Sequence, residues 1–516
     1  MRCTPLLVVF VCCGLTWNAP AAEEGRAGEP FSGVRGWINT AEPLTRERLT
    51  GQVVLIDFWT YCCINCMHII PDLHRLEATF TDQPFTVVGV HCGKFDQEKD
   101  VENIRSAVNR YRIVHPVAVD SDFAVWRRFG ATAWPTLVLL DAHGKVAGRW
   151  SGEGHHAAIE AAVARLLETG RIEGVLAAAP LVLQSEPAPA QAALRPLDFP
   201  GKVIADAAGK RLFIADSGHH RVLVADLDGT VARVLGSGLP GLEDGPAATA
   251  RFNDPQGLAL DAAGTTLFVA DRLNHALRAV DLGDGRVRTL AGDGEQGENR
   301  AYAGPSAAAQ LISPWDLCRI GDGLFIAMAG SHQIWRLGLD DGQLRVHAGN
   351  GREIRRDGPN RGAAFAQPSG LASSGDTLYV ADSEISSIRA VDVASDGVTR
   401  TVAGSGDLFG FGLIDGVGGD VRFQHCLGIT VSDGAQGPRL IVADTYNNCL
   451  REVDPNSGAV RQIAGPPAKD GAPGLFEPAG VTTAGDRLYV TDTGNHRLMQ
   501  CSDGRWSELT IILPSP

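Results

Sequence analysis

Apolar residues fall into two regimes along this chain. Up to about residue 170, unbroken apolar blocks alternate with stretches of helical spacing. Val53–Trp59 and Phe85–His91 are continuous β-branched and aromatic runs, the pattern of strands buried on both faces. Between them Ile69, Ile70, Leu73, Leu76 and Phe80 recur every three or four residues, which predicts a helix. Further on, the pattern predicts a helix over Asp96–Tyr111, a short strand at His115–Val119 and a brief helix at Phe123–Phe129. Strands follow at Thr136–Asp141 and Lys145–Ser151, turned at His143-Gly144, and then a helix from about His156 to Leu167. Gly36–Thr40 reads as an edge element and Leu44–Leu49 as a lead-in to the Asp57 strand. This alternation predicts an α/β domain over residues 30–170.

Residues 176–196 are rich in alanine and proline and carry no period, as a semi-stiff linker does. From 197 to 513 the chain repeats itself. The tract Phe213-Ile-Ala-Asp216 returns as Phe268-Val-Ala-Asp271, Phe325-Ile-Ala-Met328, Tyr379-Val-Ala-Asp382, Ile441-Val-Ala-Asp444 and Tyr489-Val-Thr-Asp492. Most units carry an upstream Pro-x-Gly, as at Pro255, Pro368 and Pro478. Each unit has room for about four short strands, one propeller blade, and six such blades close a ring. The recurrent aspartates and the His and Asn residues after them then read as turn-bonding groups rather than catalysts. Met328 breaks that series, so its turn needs another partner.

Charge and cysteine usage narrow the function. The 516 residues carry a net charge of −14 with no basic cluster, which argues against nucleic acid and anionic membrane surfaces as partners. Residues 1–22 have the layout of a secretory signal: Arg2, an apolar core over Leu6–Leu15, and Ala19-Pro20-Ala21. The expectation is a periplasmic or secreted protein with no membrane insertion after signal removal. Eight cysteines remain beyond that segment; the pairing of Cys318, Cys426, Cys449 and Cys501 is not readable from the sequence.

The densest chemistry lies at Cys62-Cys63-Ile64-Asn65-Cys66. A C-x-x-C where a strand hands over to a helix places the first thiol at unpaired helix N–H groups, which favour the thiolate. With Asp57-Phe58-Trp59 before it and Trp134-Pro135-Thr136 after it, the stretch resembles thioredoxin-fold proteins. The resemblance implies Cys63 as attacking thiol, Cys66 as resolving thiol, Asp57 as the carboxylate that deprotonates Cys66, and Pro135 as a cis-proline shaping the substrate groove. Trp59, Trp134 and Tyr61 are candidate groove walls. Ile64-Asn65 stands where the family more often has Gly-Pro, so no redox potential is implied. Cys62 occupies a usual tryptophan position, either as an accessory thiol or as a packing residue.

The repeated tract resembles the NHL repeat, and the order of parts resembles the NHL repeat-containing protein 2 family and related bacterial fusions. These resemblances imply two domains, a thioredoxin-like fold and then a six-bladed β-propeller. The expected function is thiol–disulfide oxidoreduction by the Cys63–Cys66 couple, with no other cofactor. The propeller's loop face would dock a client protein or redox partner and present it to the groove beside Pro135. Two other readings stay open. One is a non-catalytic scaffold whose propeller binds a protein. The other is copper handling by Cys62, Cys66 and His68, with His91, His155 or His156 completing the set.

Overall fold

The computed structural model describes residues 29–183, 195–434, 437–466 and 474–514. The expected signal segment and most of the linker lie outside the described residues. The first domain is a six-stranded sheet: β1 (Gly36–Ile38), β2 (Val53–Trp59), β3 (Phe85–His91), β4 (Val117–Val119), β5 (Thr136–Leu140) and β6 (Val146–Ser151). Its order is β1-β4-β3-β2-β5-β6, with β2, β3 and β4 mutually parallel and the other pairs antiparallel. Helices are α1 (Arg46–Leu49), α2 (Ile64–Thr79), α3 (Val101–Arg110), α4 (Ala124–Phe129) and α5 (His156–Glu173).

The two-residue alternation hidden in β2 emerges in its packing. Val54, Ile56 and Phe58 face one layer with Val88, Val90 and Leu140. Val53 and Leu55 face α2 and α5 through Leu73, Leu76, Ile159 and Val163. Asp57 and Trp59 share that second face and so lie beneath helices. Two boundaries differ from expectation. α3 starts at Val101 because the Asp100 carboxylate caps Glu102 N and Asn103 N, leaving Gln97–Lys99 as a separate 3-10 turn. α5 runs past Leu167 to Glu173 and stops at Gly174, whose φ of 70° suits glycine.

The second domain is a six-bladed propeller. The blades' inner strands begin at Val203, Pro255, Pro314, Pro368, Gly428 and Pro478. Three blades have four strands and three carry a short fifth one, at Ala303–Pro305, Gly358–Pro359 and Gly416–Val417. Each blade comes from one continuous stretch, so among the described residues no strand is exchanged between chain ends. Ile512 instead bridges to Thr230 on blade one, and Leu509 and Ile511 pack with Leu212, Leu223 and Tyr489.

A hydrogen-bond ring ties the blades together. In every blade the turn after the second strand ends in a residue at positive φ: His220, His275, His332, Ser386, Asn448 and His496. Each side chain accepts from the backbone N–H heading the next blade: Asp254, Ser313, Gln367, His425, Glu477 and, closing the circle, Phe199. The recurrent aspartates serve the same end. Asp271, Asp382 and Asp444 each accept from a backbone N–H and pair with a buried arginine, Arg278, Arg389 and Arg451. At Met328 the sulfur replaces the carboxylate, 3.3 Å from the N–H of Ile312.

Candidate functional site

The site is assembled where β2 ends and α2 begins. Cys63 is the N-cap of α2 in extended conformation and Cys66 lies in the first helical turn. All eight described cysteines, these two among them, are free thiols. Cys63 Sγ lies 4.0 Å from the carbonyl oxygen of Trp134, and the Trp134-Pro135 peptide bond is cis. Burial pushes the Cys66 thiol well above the ordinary range, and its hydrogen bond with Cys63 and the nearby Asp57 add to that. Asp57 is itself buried; desolvation raises it to about 8, and its Oδ1 has no hydrogen-bond partner. A carboxyl with that affinity beside a buried thiol is matched to taking a proton near neutrality.

Cys63, Cys66, Asp57, Trp134 and Pro135 thus come together. The other proposed groove walls do not. Trp59 is buried under the helices, its ring edge-on to His91 at 4.8 Å. Tyr61 is also buried, stacked on His91 and touching Tyr446 of the propeller. Neither lines an open groove; only Trp134 is partly exposed. Cys62 is buried, and burial pushes its thiol well above the ordinary range, with the nearby Glu384 and Glu98 carboxylates adding to that. His68 is held between Glu153 (2.6 Å) and Ser313 (2.7 Å), while burial drops His91 to about 3. Among the described residues no group of three or more His, Cys, Asp or Glu forms a metal-binding cluster.

Three residues that the sequence did not flag complete the site. Glu98, fully buried, accepts from the N–H groups of Cys62, Lys94 and Phe95 and so holds the strand-to-helix turn. Lys94 lies 5.4 Å over the Trp134 ring and pairs with Glu384. Gln367 is the third, and it comes from the propeller.

The propeller's loop face, expected to receive a client, is covered by the first domain of the same chain. The positions heading the six blades make much of this contact. Phe199 lies under the Arg110 guanidinium, which also pairs with Glu477 at 2.6 Å. Asp254 anchors Arg272, which donates to Met67 Sδ at 3.1 Å. Ser313 meets His68, and the His425 ring sits 5.3 Å from Phe95. Gln367 reaches the active-site turn: Nε2 donates to the Cys62 carbonyl and Oε1 accepts from Ile64 N–H, both at 2.9 Å. Under this cover Cys63 keeps 6% of its surface.

With this geometry in place, similarity to known proteins is informative. A thioredoxin-like family model matches residues 51–146. The chain is 43% identical to SUPPRESSOR OF QUENCHING 1, chloroplastic, of Arabidopsis thaliana over 92% of its own length, but it spans 47% of that protein. It is 39% identical to NHL repeat-containing protein 2 of Bos taurus, covering 90% of this chain and 68% of the relative. The first domain alone is 28% identical to the thiol-disulfide oxidoreductase YkuV of Bacillus subtilis, covering 27% of this chain and 91% of that one.

Proposed function

The chain belongs to the family of NHL repeat-containing protein 2, and from that premise we propose that its thioredoxin-like domain carries out thiol–disulfide exchange outside the cytoplasm. The Cys63 thiolate attacks one sulfur of a client disulfide. A mixed disulfide forms and the client's other sulfur leaves as a thiolate that takes up a proton. Asp57 in its ionised form, the minority form below about pH 8, takes the Cys66 proton, and Cys66 attacks Cys63 Sγ. The client's second thiolate departs, and Cys63–Cys66 remains as a disulfide for a redox partner to reduce. In the opposite direction the same steps oxidise a client dithiol.

The observation that carries this reading is the convergence of Cys63, Cys66 and a raised, buried Asp57 at one helix start. The test is equilibration of the full chain in glutathione buffers, with differential alkylation of Cys63 and Cys66 read by mass spectrometry. A reversible two-electron transition supports the reading; a pair that stays dithiol at every ratio sinks it.

The burial of Cys63 favours a second reading, a scaffold whose first domain only plugs the propeller. In that case replacing either Cys63 or Cys66 by serine changes neither client trapping nor insulin reduction.

A further inference from the structure

The contact at Gln367 bears directly on which molecules reach Cys63. Its side-chain amide bonds to the carbonyl of the residue before Cys63 and to the N–H of the residue after it, so it straddles the attacking cysteine. An amide that accepts from one backbone group and donates to another reproduces how a peptide unit pairs with an extended strand. The plug is firmly held. Gln367 is buried, its φ of 60° is fixed ahead of Pro368, and its own N–H donates to His332 of the neighbouring blade. Glu384, from the same blade, adds Lys94 to the contact.

We propose that Gln367 is a specificity-determining gate of the redox site, filling the place an extended polypeptide would take along the Cys62–Ile64 turn. This rests on the redox reading given above and adds a substrate rule to it. In the docked arrangement Cys63 is reached by small thiol reagents and low-molecular-weight disulfides. A protein disulfide reacts only when the propeller withdraws Gln367.

The test compares one chemistry at two sizes on the full chain. N-ethylmaleimide and a maleimide-capped polyethylene glycol of several kilodaltons both add to the Cys63 thiolate, and mass spectrometry gives the Cys63 rate for each. Gln367→Ala raises the rate with the large reagent roughly ten- to thirtyfold, the factor for two lost hydrogen bonds of typical net strength, and changes the small-reagent rate by less than about threefold. Gln367→Glu keeps the acceptor for Ile64 but sets a carboxylate oxygen against the Cys62 carbonyl, and gives the same size-dependent gain. Unchanged melting of both variants by circular dichroism separates gating from misfolding. Equal acceleration of both reagents, or none with the large one, overturns the gate. A Cys63 that accepts N-ethylmaleimide but never cycles in glutathione buffers overturns the redox reading while leaving the gate measurable. A Cys63 inert to both reagents in every chain overturns both.

Discussion

Lys94 of the first domain and Glu384 of the fourth blade form an ion pair, Nζ to Oε2 2.5 Å, with both side chains almost fully buried. Burial alone would push the Glu384 carboxyl up, but the Lys94 ammonium pulls it below the ordinary range; burial would lower Lys94, and Glu384 raises it. A depressed carboxyl adds stability that is complete above its unfolded value of about 4.3 and fades as pH falls through its folded value. Domain docking therefore weakens in acid, between about pH 4 and the still lower folded value. Glu384→Gln strands a buried ammonium and costs about 3–5 kcal/mol. Urea unfolding across pH measures both effects: the variant loses stability at pH 7 and loses part of the acid dependence.

Asp57 makes the opposite prediction. Its pKa of about 8 means that the native state keeps a proton the unfolded chain has released. Stability therefore falls as pH climbs from about 4 to 8. Asp57→Asn removes that slope and stabilises the fold by up to about 4 kcal/mol at pH 7. The same change deprives Cys66 of its base, so the resolving step slows and mixed disulfide accumulates. Denaturant titration at several pH values checks the first outcome and quenched-flow alkylation the second. A variant that gains no stability removes the desolvation argument.

The fold is largely legible in the sequence because each part repeats a local rule. Strand β2 handing over to α2 at a C-x-x-C, and six copies of one tract, three of them aromatic-x-Ala-Asp in full and three with one position changed, both survive in a single sequence. The alternation of β2 does not, because a strand buried on both faces is apolar throughout, and its pattern therefore places Trp59 in a groove that the side chain does not reach. Glu98 falls inside the expected Asp96–Tyr111 helix, where a glutamate passes for a solvated surface residue. The domain contact leaves no pattern. Phe199, Asp254, Ser313, Gln367, His425 and Glu477 hold one structural position, yet each meets a different part of an asymmetric neighbour, so nothing recurs for the eye to find.

The blade aspartates are structural, and Arg278 gives a clean test because its hydrogen bonds run to propeller residues, Arg251, Asp271, Glu243 and Asp244. Burial raises Asp271 to about 6 although Arg278 pulls it back. Arg278→Met leaves that carboxyl buried without its cation, at a cost of about 3–5 kcal/mol. Because a raised carboxyl loses stability as pH rises, the deficit grows from about pH 4 toward neutrality. Differential scanning calorimetry should show the melting point falling more at pH 7 than at pH 5, with the rate of Cys63 alkylation in the folded protein unchanged. An altered alkylation rate would tie these residues to the redox site after all.

The two thiols of the couple should behave unequally when each is replaced. Cys66 is buried and its pKa stands well above the ordinary range, so its thiolate fraction near pH 7 is below about 1%. Left alone in Cys63→Ser, it forms no adduct with a client. Left alone in Cys66→Ser, Cys63 sits at the helix start against Trp134 and forms a mixed disulfide that nothing resolves. Non-reducing electrophoresis with mass spectrometry of the linked peptides reads the yield, which should be at least about tenfold higher for Cys66→Ser, the factor that 1.4 kcal/mol supplies. Gln367→Ala placed on that background should raise the yield of protein adducts again. Equal yields from the two serine variants would mean that the structure has been assigned the wrong attacking sulfur.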